Sequence, residues 1–163
     1  MLKRLSACLA LICLPLWVWA GDPIIDFGAD DPAMQRAIAQ ARDTLPVFLN
    51  KATNAQGFGV AQASLKVKFV INDDLSEVIW VTSFRRTNSG FRGVLANEPV
   101  HMVGKRAGSR VTFGMDQIAD WSLTANGRLY GNYTTRTMLT ELDAASRKQM
   151  RQILSQRPMP SNW

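Results

Sequence analysis

The hydrophobic period of this chain changes once, and that change limits what it can fold into. Met34, Ala37, Ile38, Ala41, Leu45 and Phe48 recur on one face of a helix, with Gln35, Arg36, Gln40 and Arg42 elsewhere. Leu65, Val67, Phe69 and Ile71 then alternate with Lys66 and Lys68, the period of a half-buried strand. A helix with one apolar face followed by alternating strands buries that face on a sheet.

The first helix has a marked start. Asp31 is placed to cap the free amides of the first turn, and Pro32 takes the first helical position, where its missing N–H costs nothing. Pro46 predicts a kink, or a last turn split off near Thr44. Asn54 to Gly59 reads as a loop. Beyond the first strand, Asn72-Asp73-Asp74 is a turn, and Ser76 to Phe84 a second strand with Val78, Trp80 and Phe84 on one face and Ile79 and Val81 on the other. Thr87 to Gly90 turns into a third strand, Phe91 to Ala96. A short strand at Arg110 to Phe113, a turn at Met115 to Ile118, and a hairpin through Asn126-Gly127 into Leu129 to Thr137 complete the sheet. The last helix is expected from Thr140, with Leu142, Ala145, Met150, Ile153 and Leu154 inward and Arg147, Lys148 and Arg151 wet. Pro158 and Pro160 end it.

Residues 1–20 carry an address. Lys3 and Arg4 precede an apolar run from Leu5 to Trp19, interrupted by Pro15 and too short for the roughly 20 residues of a spanning helix. Val18 and Ala20 suit cleavage after Ala20, which predicts a periplasmic protein with residues 21–163 as one domain. Cys8 does not sit where a lipidation cysteine belongs, and Ile12 is too large to precede Cys13 in that role. Both cysteines lie inside the signal, so the mature chain holds itself together by its core, without disulfides. Setting Lys3 and Arg4 aside from the 19 basic residues leaves 17 against 13 acidic ones, a formal +4. That mild bias, outside the cytoplasm, argues against nucleic acid as a partner.

A set of short motifs fills the middle of the chain. Ile79-Trp80-Val81-Thr82 and Gly90 to Pro99 come first, the latter ending in Asn97-Glu98-Pro99, and Gly108 to Phe113 follows. Ile118-Ala119-Asp120-Trp121 and Gly127-Arg128-Leu129-Tyr130-Gly131, with Thr134 and Arg136, complete the set. Together they resemble the YegJ-like family of small bacterial proteins over roughly Asp31 to Leu139. The resemblance implies a shared fold and no established activity, and relatives that carry the domain beside other modules suit an interaction role. Ser109 stands where an Asp is usual in that family, and Ser122 where a larger apolar residue is.

The residues of these motifs also have a direct physical reading. Asn97-Glu98-Pro99 makes a rigid corner, since Pro99 fixes its own backbone and holds Glu98 extended. The Glu98 carboxylate then either binds amides of a neighbouring loop or faces a cleft. Trp121 is expected to plug the core and Asp120 to tie down the turn before it. Paired with Asp116 or Asp120, Glu98 makes a hydrolase thinkable, but paired-acid chemistry needs carboxylates about 5 to 10 Å apart across a cleft. His101 is the only histidine, and no Gly-x-Ser-x-Gly elbow, phosphate loop or dinucleotide fingerprint occurs, so no metal or cofactor is expected.

Charge supplies the remaining clue. Lys66, Lys68 and Arg92 fall on strand faces, Arg85 and Arg86 end the second strand, and Lys105, Arg106 and Arg110 follow in the next loop. Either these are a solvated face or they merge into a docking surface for an acidic partner. The tail from Arg157 to Trp163 either packs back on the domain or frays.

The chain therefore reads as an α+β domain: a curved antiparallel sheet of about five strands, approaching a barrel, flanked by two helices. The expected function is that of an exported, non-catalytic binding protein, in its most concrete form an immunity-type inhibitor of an acidic exported toxin. An envelope protein binding an anionic polymer or glycan is the alternative, and a hydrolase using Glu98 and an Asp comes third. The candidate binding residues are Arg85, Arg86, Arg92, Asn97, Glu98, Lys105, Arg106, Asp120 and Trp121.

Overall fold

The computed structural model describes residues 31–163, so the predicted signal and the arm from Asp22 to Ala29 lie outside the described residues. The chain runs α1 (Pro32–Ala52), β1 (Ala63–Asn72), β2 (Leu75–Thr87), β3 (Gly90–Leu95), β4 (Arg110–Phe113), β5 (Ile118–Ala125), β6 (Arg128–Gly131), α2 (Tyr133–Met138) and α3 (Ala144–Ile153). The six strands form one antiparallel sheet in the order β4-β3-β2-β1-β5-β6. The α+β class stands. The sheet has six strands and is open, with β4 and β6 as its two edges.

Helix α1 starts as its caps dictate: the Asp31 carboxylate accepts from the amides of Ala33 (2.7 Å) and Met34 (3.3 Å). It does not split at Pro46 but runs unbroken to Ala52, with Pro46 on the wet side of the helix. There the Arg42 carbonyl that loses its helical partner can turn to water. Ala37, Ala41, Leu45, Phe48, Leu49 and Ala52 are buried, and the helix packs on β5 and α2. Trp121 of β5 lies fully buried at the centre of this layer, 4.6 Å ring to ring from Phe48, and its Nε1–H donates to the Thr44 hydroxyl at 3.0 Å.

One irregularity re-aims β2. Strict alternation groups Phe84 with Val78 and Trp80, but the β2–β3 register shifts between Thr82 and Arg85, with Ser83 at φ 46°. The extra residue turns Phe84 into the core beside Ile79 and Val81 and sets Arg85 opposite Arg92.

The C-terminal quarter differs most from expectation. Strand β6 stops at Gly131, because Gly131 and Asn132 both adopt left-handed backbone and turn the chain into α2. A Cβ at Gly131 would collide with the Trp121 carbonyl, so only glycine fits. The last helix begins at Ala144, not Thr140, with Asp143 as its cap, accepting from Ala145 and Ser146. No residue of α3 is buried. Its expected inward stripe reduces to the flanking Leu142 and Leu154, because the core is already closed by α1 and α2. The tail packs back: Trp163 stacks on Trp121 (6.1 Å) and tilts against Phe48 (6.4 Å).

Candidate functional site

Cations collect at one end of the sheet. In the β2–β3–β4 register Arg85 faces Arg92 and Arg92 faces Thr112, while Val94 faces Arg110, so these side chains share one face. The loop from Asn97 to Ser109 brings Lys105 to the same place, its Nζ donating to the Arg110 carbonyl at 3.3 Å. A groove of about 740 Å³ results, lined among others by Phe58, Arg85, Arg92, Lys105, Arg110 and Thr112.

Two clips hold this loop. Glu77 of β2 accepts the amides of Val100 (2.5 Å) and His101 (2.9 Å) on its two oxygens, and Glu98 accepts the amide of Ala107 at 3.0 Å. Ser109 adds a third tie, its hydroxyl accepting from the Arg106 amide at 2.9 Å.

The groove's cations are not neutralised. Arg85 donates to the Gln56 carbonyl (3.3 Å) and lies 4.5 Å over the Phe58 ring, which is 45% exposed. Arg92 and the guanidinium of Arg110 have no partner among the described residues. No carboxylate lines the groove. Like charges directly across a strand pair oppose folding by about 0.2 to 1 kcal/mol, so the Arg85–Arg92 row is a cost that core packing does not require.

Of the nine sequence-derived candidates, only Arg85, Arg92 and Lys105 line this groove. Arg86 leans on the Phe91 ring, 5.9 Å away, and Arg106 and the Asn97 corner lie on the exposed loop outside the lining. Arg110, Phe58 and Thr112 belong to the groove as well. An aromatic ring between Gly57 and Gly59 was the available signal for Phe58, and alternation along β4 for Thr112.

Asp120 and Trp121 sit elsewhere, on β5, with β1 and β2 between them and β3. Lys66, expected on the wet face with Lys68, is only 8% exposed and joins them. It faces both Asp120 and Trp80 in the register, and its Nζ lies 5.3 Å over the Trp80 ring and donates to the Thr134 hydroxyl at 3.3 Å. Asp120 is 0% exposed. Its carboxylate accepts from the Trp121 amide (2.8 Å), the Thr134 amide (2.7 Å) and the Thr134 hydroxyl (2.7 Å). Burial raises its pKa above the usual carboxylate value, and those hydrogen bonds and Lys66 only partly offset the rise. With Asp120 shut in and Glu98 on an exposed loop, the two do not face each other across a cleft. No cluster of metal-ligating side chains occurs among the described residues.

What fold and groove define together is a class: a small α+β domain on one open antiparallel sheet, with a basic groove at one end. The chain belongs to the family described as "Uncharacterized protein conserved in bacteria (DUF2314)", which matches residues 31–155 and so reaches past the Asp31 to Leu139 stretch that carried the resemblance. It is similar to the "Uncharacterized protein YegJ" of Escherichia coli (strain K12), 29% identical over 119 residues, covering 72% of this chain and 74% of that one. It is also similar to the "Putative ankyrin repeat protein NMB1133/NMB1171" of Neisseria meningitidis serogroup B, 28% identical over 139 residues. That match covers 78% of this chain but only 53% of the Neisseria protein, about half of its length. No solved structure matches the chain.

Proposed function

We propose that this chain is an exported binding protein without a reaction of its own, whose basic groove receives an acidic protein partner. In the most concrete form it is an immunity-type inhibitor of an exported toxin. The carrying observation is the groove itself: Arg85, Arg92, Lys105 and Arg110 converge without a lining carboxylate, beside an exposed Phe58 ring. Arginine and aromatic side chains are the usual anchors of protein interfaces, and a field of one sign speeds encounter with the opposite sign. Export rests on the pattern of residues 1–20.

The same four cations also suit an anionic envelope polymer. Salt separates the two, because a chain of phosphate or carboxylate held by cations alone releases steeply with ionic strength, whereas a packed protein interface persists. The test is affinity capture of the mature chain from the periplasm of its host, with cross-linking and mass spectrometry. The expected result is one protein near one-to-one stoichiometry that resists salt and is lost on Arg92→Gln with Arg110→Gln. Capture that is unchanged in the double variant removes the groove from the interface. Recovery of a salt-labile glycan or polymer in place of a protein favours the second reading.

A further inference from the structure

The outer edge of β4 carries an inference that rests on the groove reading and deepens it. The Ser109 carbonyl accepts from the Leu95 amide at 3.0 Å and so points toward β3, while the Ser109 amide turns back to the Arg106 carbonyl. By alternation along β4 the peptide groups of Val111 and Phe113 face β3, while Arg110 and Thr112 turn their N–H and C=O groups outward. Two side chains already occupy the ends of this outward row. The Arg110 carbonyl is taken by Lys105 Nζ, and the Gly114 amide by Gln117 Oε1 at 2.8 Å. Between them the N–H and C=O of exposed Thr112 stay open, a window wide enough for one pair of ladder bonds.

The two faces beside that window differ in chemistry. Arg110 and Thr112 share a face with Arg92 and Arg85, and Val111 and Phe113 turn the other way into the core. An added strand would therefore set alternate side chains against arginines and the ones between against the apolar margin at Val111 and Phe113. A second copy of β4 would lay one cationic face beside another, so charge speaks against self-pairing.

We infer that β4 receives an extended acidic segment of a partner protein as a seventh strand, its backbone pairing with Thr112 and its alternate carboxylates meeting Arg92 and Arg110. The segment has acidic and apolar residues in alternation. Its binding draws on both the backbone window and the groove's charge.

The test uses the mature chain and a ten-residue peptide of alternating Glu and Val, capped at both ends, with calorimetry for affinity and amide hydrogen exchange for location. Three controls accompany it: the peptide with Lys for Glu, the peptide N-methylated at every second amide on its pairing edge, and the protein variant Thr112→Pro. The Thr112 amide points away from β3, so proline there removes the outward donor without breaking the ladder, and an unchanged melting temperature verifies this. The expected result is binding that protects the Thr112 amide, is absent for the Lys peptide, and weakens at least tenfold with the N-methylated peptide and with Thr112→Pro. Binding that falls with Arg92→Gln and Arg110→Gln but ignores backbone methylation and Thr112→Pro overturns strand addition and leaves the groove reading standing. Failure of the alternating peptide to bind at millimolar concentration overturns strand addition as well, while the capture experiment above decides the groove reading separately. For a variant whose fold is disturbed, the N-methylated peptide on the unaltered protein gives the deciding comparison.

Discussion

The two edges of the sheet are finished in different ways. At β6 the chain closes its own edge. Leu154 bridges Leu129 in parallel, Ser155 donates its amide to the Leu129 carbonyl (3.0 Å), and Gly131 donates to the Pro158 carbonyl (2.7 Å). Arg136 clamps the crossing by donating to Gly131, Ser155 and Leu129, and burial lowers its pKa without removing its charge at neutral pH. At β4 two side chains among the described residues, Lys105 and Gln117, blunt the edge, and cations line the groove beside it. Open edges invite association, and lysine or arginine beside them is a standard protection against the wrong kind. The contrast is between an edge that the chain's own tail covers and an edge left open beside a row of cations.

Removing residues 155–163 is the largest way to break the comparison, because it uncovers β6 and takes Trp163 off Trp121 and Phe48. We expect a loss of about 3 to 5 kcal/mol, with concentration-dependent self-association that the β4 edge does not show. Urea denaturation and sedimentation measure both. Asp120→Ala is next: it strands the Thr134 and Trp121 amides and removes the carboxylate that faces Lys66, for about 3 kcal/mol in the same assay.

Asp120 also gives a pH effect with a defined sign. Its folded pKa lies above its unfolded value of 3.8, so the folded state holds that proton more tightly. Its contribution is therefore full below the unfolded value and is lost as pH rises through the folded one. Wild-type stability relative to Asp120→Asn should fall as pH rises from about 4. A flat difference between the two proteins would remove the burial argument.

Trp163→Ala, which spares the backbone seal, should cost about 2 kcal/mol and change tryptophan fluorescence. At the other edge the expected sign reverses. Arg92→Gln relieves the cross-strand repulsion from Arg85 and should raise stability by a few tenths of a kcal/mol, while lowering partner capture. A loss of stability there would show that the row of cations serves the fold.

The smallest effect is local. The Asp143 carboxylate is held below its usual pKa by the Ser146 and Ala145 bonds, so its cap is intact above the unfolded value and is lost as pH falls through the folded one. The amides of Ala145 and Ser146 should then lose exchange protection before the sheet does, as NMR would show.

Much of this was legible in the chain itself, wherever local chemistry decides alone. The Asp31-Pro32 start, the apolar face of α1 and the alternation of β1 need only nearest neighbours along the sequence. The last quarter was not. Leu129 to Thr137 has a strand's composition, but Gly131 must pass against the Trp121 carbonyl, and that contact across β5 breaks the strand into β6 and α2. The apolar residues of α3 suggested a buried stripe because periodicity reports a face without reporting whether anything is left to cover it.

The candidate site shows the same division. Composition placed arginines and lysines near one another along the chain, and the corner at Asn97-Glu98-Pro99 announced a fixed loop. Burial sorted the charges: Lys66 went inside to Thr134 beside Asp120, while Lys105 came across the edge to Arg110. By itself the sequence determined the class of fold, the first helix with its Asp31 cap and the run of strands from β1 to β5, because these follow from periodicity and local hydrogen bonding. Only the tertiary structure decided which charges meet, because a single extra residue at Ser83 sets Arg85 rather than Phe84 against Arg92, and register is a property of two strands.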